Sequence, residues 1–210
     1  MKNSAKSTIK CVITLSLISV ICVAVLALGN AFIPKYKPTL DAATAELING
    51  IVDTGVGAET ALEDGYFEML QIDDKKLEEF NKANRVNSDN KLLAVYKVVK
   101  GADAGCFVTE TQAKAYNDAV IILTAFDKSG NVKNLAVKSH SDDLLDGSIF
   151  KEEMMAKLVE YAKTVKTFDT ASLNAATGAT TKGSTLGVAN ALNIAFKAAE
   201  QIAANGGEKL

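Results

Sequence analysis

The run A-V-I-I-L-T-A-F, from Ala119 to Phe126, decides the predicted fold. It is a near-continuous apolar run, which suits a central strand of the sheet. The sequence D-K-S-G-N follows at 127–131 and is typical of a hairpin turn. A return strand is then predicted at 132–139, with Val132, Leu135 and Val137 as its apolar residues.

Two more strands are predicted upstream of this hairpin. The segment 92–99 is rich in strand-forming residues and ends at Gly101, and the segment 106–111 alternates between apolar and polar side chains. The four segments follow one another closely, so we expect an antiparallel meander.

Helices are predicted before the sheet. The segment 40–52 places Leu40, Ala43 and Leu47 on one face, and Gly55 and Gly57 end this pattern. We expect a loop or a short strand at 59–65. The charged segment 73–80 predicts a helix with a solvated face.

Helices are also predicted after the sheet. The segment 151–163 is amphipathic. The last helix carries an apolar stripe formed by Val188, Leu192, Ala195, Ala199 and Ile202. Ser184 or Thr185 can cap its start, and the segment 205–207, N-G-G, can end it. The predicted fold class is therefore α+β, with helices packed on an antiparallel-rich sheet.

A small-residue turn, Thr177-Gly178-Ala179-Thr180-Thr181, precedes the last helix. Glycine allows close approach of the backbone to an anion, and the N–H groups at a helix start point at it, so this turn could hold a phosphate. The alternative is an ordinary tight turn before a helix. A P-loop is excluded because Lys182 precedes Gly183, which is the wrong order for that motif.

The sequence T-G-A-T resembles the [ST]-G-A-[ST] flavinylation motif of the FMN-binding domain family. That family includes the G subunit of the Rnf electron-transport complex and the C subunit of the sodium-pumping NADH:quinone reductase. The resemblance implies covalent FMN, joined through its phosphate to the last threonine of the motif, Thr180. It also implies that Thr177, Gly178, Ala179 and Thr181 shape the turn and bind the phosphate.

The resemblance extends over about residues 90–204. The segment 115–118, A-Y-N-D, matches a G-Y-G-G-like loop, and His140-Ser141-Asp142 matches an H-x-E stretch. In this reading Tyr116 stacks on the flavin ring and His140 is its polar neighbour. The alternatives are core or turn packing for Tyr116, and for His140 an exposed histidine at a strand end.

The chain also departs from the family pattern. The E-T-P-G portion is replaced by the segment 142–147, the glycines around Tyr116 are missing, and Asn174 stands where the family has aspartate. These departures leave open a module without flavin. Asp142, Asp143 and Asp146 do not match a calcium-loop spacing, and we expect them to be solvated.

The N-terminal part contains an uncharged run from Cys11 to Pro34. Its length predicts a single transmembrane helix at 11–34, with a cleaved signal peptide as the alternative. Lysines precede the run, so we expect residues 1–10 in the cytoplasm and the remainder outside it. A juxtamembrane helical and linker region at 35–89 would then lead to an FMN-binding domain at 90–210.

Composition narrows the possible functions further. The net charge is −2, which implies no general affinity for nucleic acid. Arg85 is the single arginine and His140 the single histidine, so a multi-histidine metal site is excluded. Cys11, Cys22 and Cys106 form no C-x-x-C motif, and Cys106 is expected to be buried.

Together these expectations describe an electron-transfer flavoprotein subunit in the cytoplasmic membrane. It would belong to an Rnf-type complex that couples electron flow between ferredoxin and NAD to sodium or proton transport. Its partners would be the other membrane subunits and a flavin transferase, and it would have no independent catalytic activity. The alternatives are a stand-alone extracytoplasmic FMN-binding electron carrier and a membrane-anchored scaffold or binding module without flavin.

Overall fold

The structure is a computed structural model, and the chain divides into two units, Met1–Lys37 and Pro38–Leu210. The structure describes residues 15–16, 18–24, 38–84, 87–142 and 146–210.

Most of the expected transmembrane segment, 11–34, lies outside the described residues, as do Cys11, Arg85 and Asp143. Its described part, 15–16 and 18–24, is helical and exposed. No helix within the described ranges has both the length and the apolar character needed to cross a bilayer.

The second unit begins with helices and continues into a sheet followed by further helices. Its elements are α1 (Ala42–Ile51), α2 (Ala58–Glu63), β1 (Phe67–Met69), α3 (Asp74–Asn84), β2 (Lys91–Val98), β3 (Phe107–Lys114), β4 (Ala119–Phe126), β5 (Val132–Ser139), α4 (Glu152–Ala162), α5 (Thr170–Thr177) and α6 (Lys182–Ala204). The predicted α+β class is confirmed.

The five strands form one antiparallel sheet in the order β1-β2-β3-β4-β5. The predicted four-strand meander corresponds to β2–β5. The short strand β1 extends it by pairing Phe67 with Val98, so the sheet reaches into the region expected to be helical and linker. The expectation of a loop or short strand at 59–65 is wrong, because α2 occupies most of that segment.

Strand β4 is buried on both faces, which explains its continuous apolar sequence. Val120, Ile122 and Phe126 pack in the hydrophobic cluster that contains α6, whereas Leu123 and Ala125 pack in the cluster that contains α1 and α2. Helices therefore cover both faces of the sheet.

Helix α6 confirms the predicted apolar stripe. The five predicted stripe residues are fully buried. Its start differs from the prediction, since the N-cap is Thr181 and neither Ser184 nor Thr185. Both of these residues lie buried in the first turn, where the Thr185 hydroxyl donates to the Thr181 carbonyl at 2.7 Å. The end at Asn205 is as predicted.

Helix α5 was not predicted from the sequence. Its N-cap is Asp169, whose carboxylate accepts hydrogen bonds from the N–H groups of Ala171 and Ser172. The Ser172 hydroxyl and N–H lower the pKa of Asp169. Only Leu173 and Thr177 of this helix are buried, so its sequence shows little periodicity. Because α5 ends at Thr177, the T-G-A-T-T turn lies between α5 and α6.

Candidate functional site

The first half of the turn ends helix α5. Gly178 has a left-handed conformation, with φ +82°, and its N–H donates to the Asn174 carbonyl at 2.8 Å. Thr177 is fully buried, and its hydroxyl donates to the Leu173 carbonyl at 2.7 Å and accepts from the Ala179 N–H at 3.1 Å. The two hydrogen bonds of the buried Thr177 hydroxyl therefore stabilise the turn.

Thr180 lies at the surface and contacts the loop that follows β5. Its N–H donates to the Gly147 carbonyl at 2.8 Å, and Thr180 itself is exposed. Gly147 has φ +80°, and a Cβ at this position would overlap the Thr180 hydroxyl. The close approach of the two segments therefore requires glycine at 147.

Thr181, the next residue, has a different environment. It is half-buried, and its Oγ1 atom is buried without a hydrogen-bond partner in the part of the chain that the structure describes. Its carbonyl accepts from the Thr185 N–H at 3.0 Å, as the N-cap of α6 should. Two adjacent threonines thus differ in access: Thr180 is exposed, and the Thr181 hydroxyl is not.

A cavity of about 350 Å³ opens beside this turn. Its lining residues come from the β3–β4 turn, the loop after β5 and the start of α6: Tyr116, Asn117, Asp142, Thr181, Lys182, Gly183 and Ser184. The first N–H groups of an α-helix lack intrahelical partners and carry partial positive charge. One side of the cavity therefore favours an anion or a hydrogen-bond acceptor.

Tyr116 lies at the rim of this cavity. It is 76% exposed, so it is not a core residue. A Cβ at Gly183 would lie 3.0 Å from the Tyr116 Cβ and 3.1 Å from its Cδ2. The glycine thus lets the tyrosine approach the first turn of α6.

Asp142 is buried, which corrects the expectation that this acid is solvated. Its Oδ1 accepts the Asn117 N–H at 2.9 Å. Its Oδ2 is buried and has no hydrogen-bond partner within the described ranges. Asp146 is solvated as expected, and the Lys151 ammonium, 2.7 Å away, lowers the pKa of that carboxyl. Asp143 lies outside the described residues.

His140 supports the loop that carries Asp142. It is half-buried, which corrects the alternative of an exposed histidine at a strand end. Its ring stacks on Phe150, with centroids 4.3 Å apart and planes at 11°. Its Nδ1 lies 3.1 Å from the Asp142 carbonyl oxygen. His140 itself does not line the cavity.

The structure thus brings Tyr116 and Thr181 together at one cavity and places Thr180 at the adjacent surface. Sequence reasoning missed the contribution of Asn117 and of the helix residues 182–184. Residues 182–184 were missed because the sequence prediction placed the start of α6 too late. For Asp142, the available signal was its match to the last position of the H-x-E stretch.

Within the described ranges, no group of three or more His, Cys, Asp or Glu residues is placed to hold a metal ion. No protein-family model and no curated protein matches this chain.

Proposed function

We propose that this chain is a membrane-anchored electron-transfer flavoprotein that carries FMN on Thr180 through a phosphoester. The strongest support is Thr180, the exposed last threonine of T-G-A-T. The next residue, Thr181, lines the cavity at the start of the 23-residue helix α6.

The difference between the two threonines supports Thr180 as the modified residue. A modifying enzyme must reach the hydroxyl, and Thr180 is exposed whereas the Oγ1 of Thr181 is buried. In the linkage, the Thr180 oxygen forms a bond to the flavin phosphorus while the pyrophosphate bond of a flavin dinucleotide donor, held by the flavin transferase, breaks; the hydroxyl loses its proton and a nucleoside monophosphate leaves. The remaining phosphate charge is then favoured by the positive end of α6 and by Lys182.

The lining residues fit a ring system with polar edges. The cavity volume is at the lower end of the range of small-molecule sites, about 300–1,000 Å³. Tyr116 offers an exposed aromatic face, and the polar residues Asn117, Lys182 and Ser184 line the same cavity. FMN would supply the redox chemistry, and these side chains would orient it and limit its contact with water.

The wider role that we propose is that of the G-type subunit of an Rnf-type complex, which exchanges electrons with other subunits outside the cytoplasm while the complex moves sodium or protons. This part rests on the resemblance around T-G-A-T and on the predicted N-terminal span. A stand-alone carrier with the same flavin is the second candidate.

Isolation of the chain from native membranes under mild detergent conditions tests this function. We expect a flavin-fluorescent band after denaturing electrophoresis and co-purification with multi-span subunits. Fluorescence without such subunits would favour the stand-alone carrier. A non-fluorescent chain from cells that contain a flavin transferase would contradict the flavoprotein function and favour a membrane-anchored scaffold without flavin.

A further inference from the structure

Two large apolar side chains are exposed at the start of α6. Among the described residues of the 38–210 unit, Tyr116 is 76% exposed and Leu186 is 50% exposed, whereas the other large apolar side chains are at least partly buried. Exposed apolar residues that are scattered singly are normal on a protein surface. Their concentration on one helical turn indicates instead a surface that binds something.

Leu186 departs from the pattern of its own helix. A surface helix turns its apolar residues toward the core and its polar residues toward water. The apolar stripe of α6 follows this rule, since its members are fully buried. The outer face of α6 is otherwise polar, with Lys182, Asn190, Asn193, Lys197 and Glu200, none of which is buried. Packing of the helix on the sheet therefore does not explain a leucine at 186.

Gly183 brings Tyr116 close to Leu186. A Cβ added at Gly183 would lie 3.0 Å from the Tyr116 Cβ. Helix residues three apart have their Cβ atoms about 5–6 Å from each other, so the Cβ atoms of Tyr116 and Leu186 are at most about 9 Å apart. A flat ring needs about 7–8 Å between the atoms that touch its two faces, because carbon atoms pack at about 3.5–4.0 Å. One ring can therefore contact both side chains.

Helix geometry also directs Leu186 toward the cavity. A helical side chain leans toward the N-terminus of its helix and covers the turn that precedes its own Cα. The turn before Leu186 contains Lys182 and Gly183, which line the cavity together with Tyr116. Leu186 therefore lies at the edge of the cavity, next to its lining residues.

A ring attached to Thr180 can reach this place. With a rise of 1.5 Å per residue, Leu186 lies about 7.5 Å along the helix axis from the N-cap Thr181. In FMN, the phosphate and the ribityl chain separate the ester oxygen from the ring by a linker of comparable length. The phosphate uses the N–H groups at the helix start, and the ring needs none of them. Because the tether gives the ring a high effective concentration here, few contacts are needed to hold it.

We propose that Leu186 is a positioning residue whose side chain packs against the isoalloxazine ring of the FMN attached to Thr180 and shields part of the ring from water. Tyr116 contacts the same ring. This inference rests on the proposed function, and it adds a residue that lies outside both the T-G-A-T turn and the lining of the cavity.

The test measures how well dissolved iodide reaches the attached ring. The full-length chain is produced with a flavin transferase, kept in detergent and checked for FMN by its intact mass. Iodide quenching of the flavin fluorescence is then compared for the native chain and Leu186→Ala. We expect a Stern–Volmer constant about twofold larger for Leu186→Ala, because the ring loses an apolar cover that excludes water. Alanine favours helix, so this variant should keep its fold.

Two further variants serve as controls. Leu186→Met keeps a large apolar side chain, so its flavin should be quenched like that of the native chain. Gln201→Ala removes an exposed uncharged side chain near the other end of α6 and should also match the native chain. None of the three substitutions changes the net charge, so the local concentration of iodide stays the same. Circular dichroism checks that each variant is folded.

Equal quenching of the native chain and Leu186→Ala would overturn the inference. If that variant also loses its co-purifying subunits, a partner protein covers Leu186 instead of the ring. A native chain whose flavin is quenched as strongly as after unfolding in urea would overturn the inference without any mutation. Failure of the proposed function is read separately by mass. A chain that gains no FMN contradicts both, whereas a modified chain with an unshielded ring keeps the function and loses only this inference.

Discussion

The N–H of Thr180 donates a hydrogen bond to the carbonyl of Gly147 at 2.8 Å, and this bond ties the T-G-A-T turn to the loop after β5. The same loop carries Asp142 into the cavity. The exposed threonine is therefore held against Gly147 of this loop.

Gly147→Ala tests this contact. The residue has φ +80°, which costs a side chain about 1–2 kcal/mol, and its new Cβ would overlap the Thr180 hydroxyl. The control is Gly55→Ala, at φ +74°, where an added Cβ would meet no atom of the described residues within 4 Å, so that this variant shares only the first cost. Urea denaturation should show a larger loss of stability for Gly147→Ala. Equal losses would mean that the contact with Thr180 is loose.

Asn193→Ala tests how α6 holds the segment before α5. The Asn193 side chain accepts from the Phe168 N–H at 2.9 Å and donates to the Phe168 carbonyl at 2.8 Å. Its loss leaves two backbone groups unsatisfied, so the unfolding free energy should fall by about 1–3 kcal/mol. Lys197→Ala, at an exposed position of the same helix, should change it by less than about 0.5 kcal/mol. Similar values for the two variants would contradict this role.

Asp103 predicts a loss of stability in acid. Burial raises the pKa of this carboxyl, but hydrogen bonds from the Asp53 N–H and the Lys133 ammonium outweigh burial and hold the pKa below its ordinary value of 3.8. Because the folded-state pKa is the lower one, the contribution to stability is complete above pH 3.8 and is lost as the pH falls through the folded value.

Asp103→Asn should therefore lower the unfolding free energy by about 1–3 kcal/mol at pH 7. The difference from the native chain should shrink below pH 3.8. Denaturation curves across this range measure it. Glu63→Gln, at an exposed carboxylate on α2, serves as the control and should change the unfolding free energy by less than about 0.5 kcal/mol at pH 7. If the unfolding free energies of Asp103→Asn and the native chain differ by the same amount at all pH values, the ion-pair explanation is contradicted.

The N-terminal segment should remain attached in the mature protein. The uncharged run from Cys11 to Pro34 is longer than the apolar region of an ordinary signal peptide. N-terminal sequencing of protein from native membranes should therefore find the residues that precede this run. A mature chain that starts near Phe32 would show cleavage instead.

The elements predicted from the sequence are those with a strong apolar pattern, either continuous or periodic. The run in β4 and the stripe on α6 have clear patterns because both are buried against long partners. The elements it missed have weak patterns: β1 has three residues, and α5 buries only Leu173 and Thr177.

The site was predictable only in part, because burial depends on distant contacts. Thr180 and Thr181 have the same side chain, and their difference in access arises from the fold around Gly147 and the start of α6. Likewise, Asp142 is buried partly through its bond with Asn117, 25 positions earlier. No local pattern encodes either relationship.

The most direct test of the central claim is the intact mass of the chain produced together with a flavin transferase in the export compartment. We expect the native chain and Thr181→Ala to exceed their chain masses by FMN less one water, and Thr180→Ala to show only the chain mass while keeping its circular dichroism spectrum. Modified Thr180→Ala with unmodified Thr181→Ala, or a native chain that gains no mass, would contradict the assignment of FMN to Thr180.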